Sequence, residues 1–311
     1  MNAPTSVIHI ENLTYAYGRG SEAIDNFNLR VEAGRCYGLF GRNGAGKTTA
    51  IKCLLNLLRP ERGHVRVFGI DPGKHEVEVK RRLTYVPDQV SFYPWMTIRE
   101  TLDYLASFRE HWNAATEQEL LRRFHLDANR RAAALSKGQR TQVALIAAIC
   151  PEPDLLLLDE PTSGLDPIVR REFIETVIGA YQEGNPGNRT ILVSTHLISE
   201  FEGLIDEFTI MDRGRGLITL RADEARDRYK RIRARFSQSA PELDLSMALH
   251  VRRAGRELDV IVNGGGREVM DRLLKYNPEA LTTEALTLEE IFVATSRDQE
   301  TLNGPAVLEN P

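Results

Sequence analysis

Residues 38 to 49 read GLFGRNGAGKTT. Glycines at 41, 44 and 46 allow positive φ, so the backbone can turn its amide N–H groups toward a common centre. An anion fits such a centre. Lys47 adds a charge suited to the β and γ phosphates of a nucleotide, and Thr48 offers a hydroxyl to Mg2+. Asn43, Gly44, Ala45, Gly46 and Thr49 complete the loop that would wrap the phosphates, and the helix that starts here adds its positive dipole end. The bland alternative is a glycine-rich turn that only reverses the chain. Here the loop follows an apolar strand and opens a helix, the context that the GxxxxGK[ST] pattern requires.

A second run, PDLLLLDEPTSGLDP at 153 to 167, places four leucines before two carboxylates. Four apolar residues in a row suit a strand buried on both faces. Open parallel sheets bind ligands at the carboxyl ends of their strands, where Asp159 would emerge beside Thr48 and hold Mg2+ through a water. Glu160 points elsewhere and is placed to polarise the water that attacks the γ phosphate. That pairing implies ATP hydrolysis and not binding alone. Two acids capping an exposed strand end are the structural alternative. Asp166 and Pro167 also read as N-cap and first residue of a helix.

The third run is LSKGQ, 135 to 139, ahead of the helix QRTQVALIAAIC that Pro151 ends. A helix cap needs only Ser136. Gly138 makes sense where something approaches the backbone closely, and Ser136, Gly138 and Gln139 together resemble a second anion site. The phosphate loop already surrounds one nucleotide within its own chain, so a second chain is the expected source of the ligand.

These residues need a scaffold. Apolar runs at 36–40, 155–159 and 190–195 read as buried parallel strands, with helices at 47–58 and 167–182 between them, so the fold class is α/β with a layered sheet. VIHIENLTYAY and AIDNFNLRVEAG read as short antiparallel strands, which makes the sheet system mixed. Residues 97–150 carry three helical patterns and form a helical subdomain. Character changes after Leu220. Residues 221–236 read as a charged helix or linker, and the basic run RDRYKRIRAR within it as a solvated helix face. A hairpin about Ala254 and Gly255, a helix at 266–276, a strand near 279–287 and a short helix at 288–295 make a small α+β domain. The expected organisation is therefore 1–220, 221–298, and an unstructured tail at 299–311.

Composition narrows the partners. The 311 residues carry a formal charge of -4 with 27% charged residues, so no global field draws nucleic acid or an anionic bilayer. Cys36, Cys53 and Cys150 lie in apolar runs without CxxC spacing, which fits reduced buried thiols and a cytoplasmic setting. No apolar run is long enough to cross a bilayer, and the N-terminus lacks the pattern of a secretory signal.

Taken together and in order, GRNGAGKT, LSKGQR, LLLLDEP, SGLDP and STH resemble the nucleotide-binding subunit of an ATP-binding cassette (ABC) transporter, over about residues 7–220. The resemblance implies a P-loop NTPase core that uses ATP and Mg2+. It implies two cassettes facing head to tail, identical or paralogous, with Ser136 and Gly138 of one closing over ATP on the other. By the same resemblance His196 corresponds to a switch histidine that senses the γ phosphate. Tyr17 corresponds to the aromatic residue on which adenine stacks, with Tyr15 as runner-up. Asp88 stands where the family has a glutamine or glutamate that reaches Mg2+, and Gln89 beside it is the alternative. FYPWMTIRE, the C-terminal α+β domain and LTLEEIFVATSRD resemble ATPases of ABC-2 type exporters, whose permease is a separate membrane protein. The 88–104 loop would then receive the permease, with Phe92, Tyr93 and Trp95 as anchors or as local core. This would hold the chain on the inner face of the cell membrane. No nucleic acid partner is expected. The rival reading, a soluble ABC ATPase acting on nucleic acid or the ribosome, usually brings tandem cassettes, long coiled coils or CxxC pairs, and this sequence has none.

Overall fold

Strands β3 (Cys36–Phe40), β6 (Leu155–Asp159) and β7 (Thr190–Thr195) are buried at every position. Such strands suit the inside of a sheet covered on both faces, as parallel sheets are. In the computed structural model, which describes residues 6–18, 22–182 and 189–302, they form the centre of a six-stranded sheet. On one side lies β5 (Leu83–Val86) and on the other β8 (Glu207–Asp212) and β9 (Arg215–Arg221), in the order β5-β6-β7-β3-β8-β9. Every pairing from β5 through β8 is parallel. The carboxyl ends of β3, β6 and β7 therefore open on one edge, and Gly41, Glu160 and His196 each follow one of them directly.

A three-stranded antiparallel sheet is built from β1 (Ser6–Ala16), β2 (Glu22–Glu32) and β4 (Arg62–Val67), in the order β2-β1-β4. Its inward residues, among them Ile8, Ile10, Phe27 and Val31, share a core with Tyr37, Leu39, Leu155 and Leu157 of the parallel sheet.

Helices cover the parallel sheet. α1 (Lys47–Leu54) stops four residues before the expected end at 58. Asn56 there takes φ +56, and the amides of Leu57 and Leu58 turn back to the Lys52 carbonyl. α2 (Glu76–Arg82) precedes β5. The segment 97–150 holds α3 (Ile98–Ala106), α4 (Ala114–Arg123), a 3-10 turn at Ala132–Ala134 and α5 (Lys137–Ile149), with no strand. α6 (Pro167–Gln182) starts where Asp166 Oδ1 accepts the amides of Ile168 and Val169, both at 3.1 Å. α7 (Ile198–Phe201) is a single turn.

The chain divides into two compact units, Met1–Thr219 and Leu220–Pro311. The second contains α8 (Ala222–Arg228), β10 (Tyr229–Arg235), β11 (Ala248–Ala254), β12 (Glu257–Asn263), α9 (Gly266–Leu274), β13 (Ala280–Ala285) and α10 (Leu288–Leu302). Its antiparallel sheet runs β11-β12-β10-β13. The expected charged helix at 221–236 is thus wrong in its second half, where β10 is a central strand. Period two explains it: Ile232, Ala234 and Phe236 enter a core with Leu258, Val260, Val262 and Leu273. The arginines between them take the other face, where Arg231 is held by Glu290 at 2.7 Å. α10 continues to Leu302, past the expected stop at 295. The rest of the tail expected to be unstructured, 303–311, lies outside the described residues. All three cysteines are free and buried. Among the described residues no helix is long and apolar enough to cross a membrane.

Candidate functional site

The loop between β3 and α1 holds its shape through its glycines. Gly44 has φ +84 and Gly46 φ +104, conformations that L side chains rarely adopt. A Cβ on Gly46 would also stand 2.6 Å from the Ala23 carbonyl oxygen, and one on Gly41 2.5 Å from that of Met211. At the N-terminus of α1 no side chain caps the helix, which leaves a positive helix end bare. Asn43 is exposed on this loop, and Ala45 is buried under it. Lys47 is nearly buried and donates to the carbonyl oxygens of Gly41 at 2.7 Å and Arg42 at 3.2 Å.

Asp159 and Glu160 leave β6 in different directions. Asp159 is buried beside β7, where Ser194 is its register partner and donates to Oδ1 at 2.8 Å. Thr48 donates to the same oxygen at 3.1 Å, and Tyr85 donates to Oδ2 at 3.3 Å. Burial pushes the Asp159 carboxyl above the ordinary range and the nearby Glu160 charge adds to this, while the three hydrogen bonds pull it down. Glu160 sits at φ +46. That left-handed turn aims its side chain at Lys47, 2.9 Å from Oε1, and at His196 Nδ1, 2.7 Å from Oε2. Phosphate-loop lysine, carboxylate and histidine thus form one row.

The residues of LSKGQ stand in a capping box. Ser136 Oγ accepts the Gln139 amide at 3.1 Å, and the Gln139 side chain accepts the Ser136 amide at 3.1 Å. Gly138 packs on α6, where a Cβ would lie 3.2 Å from Val169 Cγ1. The helix-cap reading of Ser136 is therefore realised within the chain. Lys137 donates to the Ser163 carbonyl at 2.6 Å and lies 3.9 Å from Asp88 Oδ1.

Tyr17 is 61% exposed, and its hydroxyl lies 3.2 Å from Thr49 Oγ1. Tyr15 meets the Tyr17 ring edge-on and packs on the core of the first unit, so Tyr17 has the free face beside the phosphate loop. Asp88 faces Lys137, and Gln89 is exposed. Tyr85, three residues before Asp88, is the side chain of this segment that donates to Asp159. Ser194, Tyr85 and Lys137 are the polar partners that sequence reasoning missed. Ser194 in the STH run and Lys137 in LSKGQ lay inside runs already singled out, whereas Tyr85 had no local signal.

A model of the family described as ABC transporter matches residues 24–163. The bacitracin transport ATP-binding protein BcrA of Bacillus licheniformis is 33% identical over 229 residues, covering 73% of this chain and 74% of that protein. The chain belongs to the ABC transporter family. It is an ATP-binding subunit and an ATPase, built on the P-loop NTPase fold. The daunorubicin/doxorubicin resistance ATP-binding protein DrrA of Streptomyces peucetius is 37% identical over 217 residues, covering 68% of this chain and 64% of its own. A solved ATP-binding subunit of an ABC transporter superposes with TM-score 0.64 at 28% identity, over 71% of this chain and 92% of that one. The loop at 41–48 and the acidic pair at 159–160 both fall inside the matched family segment.

Proposed function

We propose that this ABC subunit drives a membrane exporter by closing with a second cassette around ATP, and that a separate permease receives the motion. The observation that carries the reading is Glu160, held between Lys47 and His196 one residue from the carboxylate that meets Thr48. A polyphosphate in the loop would compete for Lys47 and release Glu160, leaving a carboxylate oriented by His196 to accept a proton from the attacking water. Thr48 and Asp159 offer a hydroxyl and a carboxylate, hard oxygen donors of the kind Mg2+ takes alongside phosphate oxygens and water, and they fit that ion. Bound there, Mg2+ would neutralise charge developing on the phosphates. Tyr17 presents its exposed ring for adenine.

The trans contact rests on α5. Ser136 and Gly138 stand at a helix end whose side-chain cap is already internal, so a ligand there would use the amides and the dipole end of α5 toward a nucleotide on the other cassette. Export is favoured by relatives named for bacitracin transport and drug resistance.

The expected 88–104 loop ends at Thr97, where α3 begins, and a groove of about 830 Å3 beside the 88–97 loop and α3, lined by Val77, Phe92 and Phe108 among others, is suited to an apolar-faced segment of the permease. Trp95, Tyr93, Tyr104 and Phe108 continue it as an exposed aromatic run, with ring centroids 5.0, 6.0 and 5.1 Å apart. Tyr93 and Trp95, exposed as they are, suit anchors and not local core. Binding through this groove would hold the subunit on the inner face of the cell membrane, with the second unit as an accessory domain.

Glu160→Gln tests the reading. ATP should still bind, turnover should fall by about 10²–10⁴, and light scattering with Mg-ATP should show a dimer. A monomer at saturating Mg-ATP overturns the sandwich.

A further inference from the structure

The groove and the acidic pole meet at one side chain. β5 pairs with β6 in parallel register, Tyr85 beside Leu157 and Val86 beside Leu158. Leu157 and Asp159, two residues apart, face the same side of the sheet. The residue paired with Leu157 shares that side, and an aromatic side chain is long enough to reach the diagonal neighbour. The Tyr85 hydroxyl accordingly donates to Asp159 Oδ2 at 3.3 Å. Thr48 and Ser194 both take Oδ1, at 3.1 and 2.8 Å, so Tyr85 fixes the rotation of the carboxylate by holding its other oxygen. Tyr85 also lines the groove, together with Pro87, Val90 and Phe92.

We propose that Tyr85 is a positioning residue for the metal-side carboxylate and the contact through which the permease segment proposed for the groove reaches the nucleotide site. The proposal rests on Asp159 serving a divalent cation. An occupant pressing on the ring shifts the hydroxyl against Oδ2, so the carboxylate either keeps its orientation or turns about the oxygen that Ser194 still holds. Metal affinity then answers to the groove. Asp88 and Gln89 give no such route, because one faces Lys137 and the other is exposed.

The test uses the full chain, with Mn2+ titrated against the ADP-bound protein and followed by electron paramagnetic resonance. Tyr85→Phe keeps the ring and removes only the hydroxyl. Mn2+ should bind about tenfold more weakly, while metal-free ADP binds as before and the melting curve stays in place. Tyr85→Leu should show the same loss, and unchanged Mn2+ affinity in either folded variant overturns the proposal.

A second arm addresses the groove. Ser91 is exposed on its lining, and the native cysteines are buried. Ser91→Cys carrying a bulky maleimide should change Mn2+ affinity by about fivefold when Tyr85 is present and leave it unaltered in the Tyr85→Phe background. An equal change in both backgrounds, or none in either, overturns the link. Asp159→Asn separates the two levels. If it leaves Mn2+ affinity intact, the metal-carboxylate reading falls. If it weakens Mn2+ while Tyr85→Phe does not, Tyr85 alone is wrong.

Discussion

The helices α1 and α5 both carry glycine-containing motifs at their N-termini, and they are finished in opposite ways. α1 begins at Gly46 in a left-handed conformation with no side-chain cap, and its first residue, Lys47, is balanced by Glu160. α5 begins at Ser136 with a complete capping box. An uncapped helix end of this kind is a preformed anion site for its own chain. A capped one is stable alone, so any ligand it meets comes as an addition and not as a requirement for folding. The contrast suits a machine in which one end holds ATP and the other closes over it.

The largest expected effect comes from closing the open end. Gly46→Ala would place an L side chain at φ +104 and its Cβ 2.6 Å from the Ala23 carbonyl oxygen. Strain of this kind costs about 1–3 kcal/mol, and misdirected amides should lower nucleotide affinity about a hundredfold, roughly 2.7 kcal/mol. At Gly44, φ is +84 but an added Cβ meets open space. Gly44→Ala should therefore lose less. Titration of both with a fluorescent ATP analogue, beside their melting curves, checks the order.

The capped end can be dissected next. Ser136→Ala removes the cap and should cost about 1 kcal/mol of stability, whereas Ser136→Asn keeps a good cap and should recover it. If the serine also meets a nucleotide on the other cassette, both variants turn over ATP about tenfold more slowly, the equivalent of one interaction of about 1.4 kcal/mol. Full turnover in the asparagine variant would reduce Ser136 to a cap.

A smaller effect has the opposite sign. Asp159 is a buried carboxyl whose pKa is raised chiefly by burial. A raised pKa means that the folded state holds the proton more tightly than the unfolded state does. The ionised form therefore costs stability above the folded pKa, and the cost disappears below the unfolded one. Asp159→Asn should stabilise the metal-free protein by on the order of 1 kcal/mol at neutral pH while abolishing hydrolysis. That advantage should shrink as pH falls through the carboxylate range. Melting curves across pH would show it.

The parts legible in the sequence were those in which one local stretch does all the work. A phosphate loop needs glycines and a lysine at fixed offsets, and a buried parallel strand needs an unbroken apolar run, so β3, β6, β7 and the 41–49 loop could be read in place. Asp159 followed from being the last residue of such a strand, and it lies 3.1 Å from Thr48. Tyr85 could not be found this way. Its hydrogen bond depends on the register of β5 against β6, a property of two segments about seventy residues apart. β10 was obscured for another reason: arginines at alternate positions resemble a charged helix until the apolar residues between them are counted in steps of two. The ring of contacts around Glu160 was half visible, because the positive φ that turns it toward Lys47 leaves no mark in residue type.

Lys137 gives the smallest expected effect. It joins the head of α5 to the turn after Glu160 through Ser163, and it lies 3.9 Å from Asp88 with both side chains nearly half exposed, at 47% and 40%. Exposed pairs of this sort contribute about 0.2–1 kcal/mol. Lys137→Asp should thus lower turnover by roughly twofold to threefold, within that energy. Because the reversed charge faces Asp88, Asp88→Lys in the same chain should restore most of the loss if the two residues act as a pair. The restoration should fade near 1 M salt, where the screening length falls to about 3 Å. If Asp88 instead serves the metal, the double variant stays impaired at every salt concentration and Asp88→Lys alone raises the Mg2+ requirement. Steady-state ATPase rates across salt and Mg2+ for the two single variants and the double distinguish a latch between loops from a ligand.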